Sequence, residues 1–215
     1  MRTTEEIVKI IEHNAHTIID NIAHESISVF NFLRTEFNKS NITENYLFQF
    51  VFRSFYRLDN AGLTSPFKIE YFNIMQEYRQ LDHFDFATIL YRLYNIINHK
   101  NQKTFQFSFV TKMQNTLYNQ RPIFDKEVAK VFLFKKPKPN SMFNEKLEFY
   151  ISQLSIIEQT YNSINSSNCL QNTQNLFDNR FPLNNLGIIK KLDFIFWSTG
   201  KLLKGESRAS QKVQG

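Results

Sequence analysis

A chain of 215 residues, 42% hydrophobic, is long enough to bury a core in one large domain or two small ones that share it. Its 5 glycines include no G-x-G-x-x-G and no G-x-x-x-x-G-K-[ST], which excludes the glycine-rich phosphate loops. Its single cysteine, Cys169, excludes a disulfide framework, a four-cysteine iron–sulfur cluster and a structural zinc knuckle, while the net charge of +6 favours a polyanionic partner.

The periodicity is helical along nearly the whole chain. Ile7, Ile10, Ile11, Ala15, Ile18, Ile19 and Ile22 recur at three- and four-residue steps and form one apolar stripe. Thr3 or Thr4 caps this helix, with Glu6 three residues after Thr3. The pattern continues to about Phe37 with a bend near His24. Thr43 caps a second helix over 44–61, stopped by Gly62 in the left-handed conformation. Ser65 and Pro66 open a third, as cap and first helical residue. Asp82 or Asp85 opens a fourth over 86–99, and 99–104 read as a polar loop. A helix over 105–118 breaks at Arg121 and Pro122, and Asp125 begins another. KKPKPN, 135–140, is a rigid basic connector. Ser141 caps a long helix to about Ile164, and the polar stretch 165–175 precedes a short helix. Pro182 and Gly187 bracket a loop before the closing helix over 187–203. Residues 204–215 read as a disordered basic tail.

No segment shows the period of two expected of a strand, and there is no internal repeat. The expected architecture is all-α: a compact bundle of about nine helices over 1–203, in two interleaved subdomains with a cleft, the last helices packing back onto the first. The amphipathic, acidic start lacks the apolar core of a signal peptide, and no apolar run reaches transmembrane length. The reading is a cytoplasmic protein with no membrane partner.

The positive charge is local. Residues 126–138 hold five lysines against one glutamate, and the tail from Lys201 holds four basic residues against one glutamate. Such clustering points to nucleic acid, or to a solvated basic face.

One stretch stands apart: FSFVTKMQNTLYNQRPIFDKEVAKVF, residues 107–132. It reads as helix, short polar turn, Pro-Ile-Phe-Asp, helix. It resembles the heart of the helix-hairpin-helix DNA glycosylases, the endonuclease-III-like superfamily. In that family a helical hairpin grips the DNA backbone, and a Pro-hydrophobic-Asp-x-x-Val segment follows with the catalytic acid at a helix N-terminus. Pro122, Ile123, Asp125 and Val128 match that segment. The family hairpin usually carries Leu-Pro-Gly-x-Gly; the equivalent turn here, 103–112, has no glycine. The missing cysteines place the chain outside the iron–sulfur branch, and no cofactor is expected.

The resemblance implies a monomeric, monofunctional enzyme acting on double-stranded DNA, which hydrolyses the N-glycosidic bond of a flipped damaged or modified base. A role in defence against phage with modified DNA is compatible with it. Asp125 is the implied catalytic carboxylate, and Lys112 the residue in place of the Schiff-base lysine of bifunctional members. Phe55, Tyr56, Phe107, Phe109 and Trp197 are candidates for an aromatic base pocket. Ser108, Thr111, Lys126, Lys130, Lys135, Lys136, Arg53 and Arg57 are candidates for phosphate contacts. Lys190 stands at a helix start, where its charge opposes the dipole. It meets either an external anion or Asp193, three residues on. His13, His16, His24, His83 and His99 form no metal set, so no metal is expected. Asp125 is equally suited to capping the helix after it, and the two roles are compatible. The competing functions are a non-catalytic helical DNA-binding module and a defence-accessory interaction protein.

Overall fold

The computed structural model describes the backbone of residues 1–213 and the side chains of residues 1–205. Among these are eleven α-helices, a 3-10 turn and no strand. The helices are α1 (Thr4–His13), α2 (Ala15–Asp20), α3 (His24–Lys39), α4 (Tyr46–Tyr56), α5 (Ser65–Tyr78), α6 (Phe86–Tyr94), α7 (Phe107–Leu117), α8 (Lys126–Val131), α9 (Phe143–Ser167), α10 (Gln171–Arg180) and α11 (Ile188–Val213). The chain divides into two compact units. Unit 1 joins Met1–His24 to Gln120–Gly215, and unit 2 is Glu25–Asn119.

In unit 1 the last helices pack on the first: α10 against α1 and α2, and α11 against α2, α8 and α9. The isoleucine stripe carries α1 and α2 into this core, with Ile7, Ile11, Ile18 and Ile19 buried. Beside the buried aliphatic residues of the other helices runs a series of ring contacts. Phe134 stacks on Phe132, Phe132 on Phe196, and Phe196 meets Tyr161, at centroid distances of 4.8, 5.7 and 4.7 Å. Each buried ring of this size contributes about 1.5–3 kcal/mol. Gly200 sets how closely α8 and α11 approach, since a Cβ there would stand 2.0 Å from the Glu127 carbonyl oxygen. Arg2 closes the other end of α8. Its guanidinium donates to the carbonyls of Lys130 (3.1 Å) and Val131 (2.8 Å) in the last turn of the short helix.

Unit 2 has its own aromatic centre, in which Phe48, Phe52, Tyr71 and Phe72 meet edge-on or tilted at 5.5–6.2 Å. The Tyr71 hydroxyl ties α5 to α7 by donating to the Phe109 carbonyl at 2.8 Å. Arg79 donates to the carbonyls of Asn38 and Ser40 at the C-terminal end of α3.

The expected helix ends are corrected at several points. The Thr3 and Glu6 box forms, with both reciprocal hydrogen bonds present, but Asn14 interrupts the first stripe and separates α1 from α2. Asn45 caps α4, accepting the Phe48 amide at 2.9 Å. Thr43 instead donates its amide and hydroxyl to Asn41 in an Asx turn. α4 stops at Arg57, which is itself left-handed, and Gly62 ends the 3-10 turn Leu58–Ala61. The cap residue of α5 is Thr64, so Ser65 and Pro66 are its first two helical residues. Asp85, not Asp82, caps α6. Met142, not Ser141, precedes α9, its amide donating to Glu145. Residues 171–175 of the polar stretch belong to α10. α11 is bounded at Val213, past the expected start of the tail. Tail side chains from residue 206 on, Arg208 and Lys212 included, lie outside the described residues.

Candidate active site

The segment 121–125 crosses unit 1 in a non-helical path, with Pro122, Ile123 and Phe124 buried. Proline at 122 cannot continue a helix and disfavours one at Arg121. The Phe124 ring lies 5.3 Å from Tyr150 and 6.4 Å from Phe134. Arg121, at the exposed end of the segment, pairs with Glu158 of α9. These contacts deliver Asp125, half-buried and extended (φ −128°, ψ 156°), to the N-terminus of α8. Its Oδ1 accepts the Glu127 amide at 2.8 Å, and its carbonyl accepts from the Ala129 amide. The cap role is therefore realised, and it fixes the direction of the carboxylate.

Behind Asp125 the basic residues separate. Lys126 is exposed and 4.0 Å from Glu127, which is buried, and Lys130 pairs with the same carboxylate. Lys135 and Lys136 are exposed on the connector after α8.

Ile123 has a distant partner. Its amide donates to Asp193 Oδ1 of α11 at 3.1 Å. Asp193 is 5% exposed, and Lys190, one turn earlier and 4% exposed, stands 3.6 Å from it. Lys190 is therefore an internal partner and not a surface phosphate contact, which corrects that assignment. The Tyr161 hydroxyl of α9 is close enough to act on the same carboxylate but is buried without a well-formed hydrogen bond. Burial pushes the Asp193 carboxyl up, and Lys190, the Ile123 amide and the Tyr161 hydroxyl pull it back, leaving it at about 6. Burial, with the nearby negative charge of Asp193, pushes Tyr161 well above its ordinary value.

Of the remaining candidates in unit 2, Tyr56 and Phe109 flank Lys112. It lies in α7 and is buried, its Nζ 4.9 Å from the centre of the Phe109 ring and 5.8 Å from that of Tyr56. Phe55 packs on Tyr56 at 4.8 Å. Phe107 is stacked on Phe86 of α6 and is 2% exposed, a core position. Thr111 is fully buried and donates to the Ser108 carbonyl, so it offers no surface hydroxyl to a phosphate; Ser108 is half-buried. Arg53 is engaged with Asp59 at 3.2 Å, and Arg57 is exposed. Burial raises the Asp59 carboxyl, but hydrogen bonds from Lys68 and Arg53 and their charges outweigh this and hold it below the ordinary value. Trp197 belongs to unit 1, half-buried, with Lys201 Nζ 4.3 Å from its ring centre. In the expected turn 103–112, residues 107–112 are already helix.

Among the described residues no group of three or more His, Cys, Asp or Glu is placed to hold a metal, and no helix is long and apolar enough to cross a membrane. No protein-family model, curated protein or solved structure matches the chain.

Proposed function

We propose that the chain is a monofunctional DNA glycosylase-like hydrolase in which Asp125 is the catalytic carboxylate. The observation that carries this reading is the setting of Asp125. Three buried residues fix the segment before it, and a backbone amide aims the carboxylate at the start of α8. Breaking the bond between a base and C1′ of deoxyribose places positive charge on the sugar. A fixed carboxylate lowers the energy of that charge and accepts a proton from the attacking water. The base departs with the bonding pair and takes up a proton, leaving an abasic sugar. The exposed Lys126, Lys135 and Lys136 supply phosphate contacts. A modified base, as carried by some phage DNA, is the proposed substrate.

The test is incubation with DNA from several sources, modified phage DNA included, followed by alkali to cut at abasic sites. Asp125→Asn retains a good helix cap, so it separates the two roles of the residue. Strand breaks are expected to fall about 100-fold or more in the variant, with the melting temperature unchanged. No breaks on any substrate from the folded wild type would sink the reading. The Asp125 cap itself favours the second reading, a non-catalytic DNA-binding module. That reading expects salt-sensitive DNA binding, equal in both proteins, and no breaks from either.

A further inference from the structure

Asp193 and Asp125 lie 68 positions apart, yet one buried hydrogen bond links the first to the segment that carries the second. Ile123 and Asp193 are both buried, so the bond between the Ile123 amide and Asp193 Oδ1 has no water to compete with it. Two residues further on, Asp125 leaves the segment extended and accepts the Glu127 amide. Any shift of the 122–124 backbone therefore moves the root of the Asp125 side chain. Phe124 is held by rings, which tolerate sliding; the hydrogen bond from Ile123 is directional.

The charged surroundings of Asp193 are defined. Lys190 faces it from α11, the Tyr161 hydroxyl from α9 and the Ile123 amide from the segment before α8. On α8, Lys130 pairs with Glu127 and Lys126 is exposed, 4.0 Å from it, and on α2, His16 and Asp20 are exposed. A buried ion pair contributes little net stability compared with apolar residues of the same size. Its retention here has a specific geometric consequence, because the carboxylate it fixes is the acceptor for Ile123.

We propose that Asp193 is the positioning residue for Asp125, holding the 121–125 segment through the Ile123 amide while Lys190 holds Asp193. The inference rests on the glycosylase reading for what the positioning serves, but the placement is tested without DNA. Lys190→Met/Asp193→Asn and Lys190→Met/Asp193→Ala both lack the buried charges and differ in the acceptor oxygen. In the alanine variant the Ile123 and Glu127 amides are expected to exchange with solvent about tenfold faster than in wild type, with α9 amides such as Ile157 unaffected. The asparagine variant is expected to restore protection at both. On DNA, the alanine variant is expected to lose about tenfold or more in single-turnover rate, with Kd within about twofold and recovery in the asparagine variant.

Equal exchange at Ile123 in the two variants would overturn the inference, as would loss of protection spread evenly through unit 1. If the alanine variant fails to fold, the wild type decides: the Ile123 amide shift must follow the Asp193 carboxyl as it titrates near pH 6, and an amide that ignores it overturns the inference. A wild type that makes no abasic sites removes the glycosylase reading alone, since the exchange comparison still decides the placement.

Discussion

Asp193 couples the candidate site to pH in a direction that its burial determines. An aspartate in an unfolded chain titrates near 3.9, and Asp193 in the fold near 6. Between these values the native state holds a proton that the unfolded state has released. The stabilisation from neutral Asp193 is thus whole below about pH 4 and is lost as pH rises through about 6, a change of about 3 kcal/mol. Lys190→Met removes the cation that opposes this shift, so Asp193 should titrate higher. The variant should then lose more stability relative to wild type at pH 8 than at pH 5. Urea melts at the two pH values check this, and an equal loss at both would show that Lys190 does not act on the carboxyl. At this scale the sequence was only partly legible. Pairing at positions i and i+3 was open to view for Lys190 and Asp193, as was the capping sense of Asp125. The partner of Asp193 was not, because Ile123 offers a backbone amide that carries no side-chain signature. Thr111 shows a second reason: on a helix that buries both sides, a polar residue type no longer marks the solvent face.

α8 is a six-residue helix, too short to persist by its own hydrogen bonds, and its supports explain its position. Asp125 caps one end, Arg2 closes the other, and Gly200 admits its backbone against α11. A Cβ at Gly200 would collide with backbone atoms of Glu127 at 2.0, 2.5 and 2.9 Å, and backbone cannot rotate aside as a side chain can. Gly200→Ala should therefore force α8 and α11 apart and cost about 1–3 kcal/mol. Gly205→Ala, on the same helix with nothing within 4 Å of its Cβ, should instead gain up to about 1 kcal/mol. Chemical denaturation of the two variants compares them directly, and similar effects would refute the close-approach argument. Helix existence was legible because apolar spacing repeats over many residues, whereas helix ends depend on single hydrogen bonds. Thr43 and Asn45 are both competent caps. The choice between them turned on Asn41 taking the Thr43 amide and hydroxyl. Nothing in the local pattern distinguishes Gly200 as a packing glycine from one that weakens a helix.

The chain builds unit 1 from its two ends, with unit 2 inserted between them. Composition along the chain does not reveal this arrangement, because both units are helical and rich in aromatic residues. What the sequence did locate is the concentration of positive charge at 126–138, and the fold divides that charge into two kinds. Lys130 is committed to Glu127, while Lys126, Lys135, Lys136 and Lys138 are exposed. If the connector grips DNA, its contribution is release of counterions from phosphates, which depends on salt and not on base sequence. Each lysine that meets a phosphate adds about 0.9 to the slope of log K against log salt. Lys135→Ala/Lys136→Ala should therefore flatten that slope by up to about 1.8 and weaken binding to all duplexes alike. Fluorescence anisotropy between about 50 and 200 mM salt resolves the change, and a slope equal to that of wild type would remove the connector from the DNA surface. Asp125→Asn should leave the slope unchanged, because the proposed role of that carboxylate is directed at the sugar and not at the phosphates. A variant pair that separates in this way, one losing salt dependence and the other losing strand breaks, would assign binding and chemistry to different residues of the same basic segment.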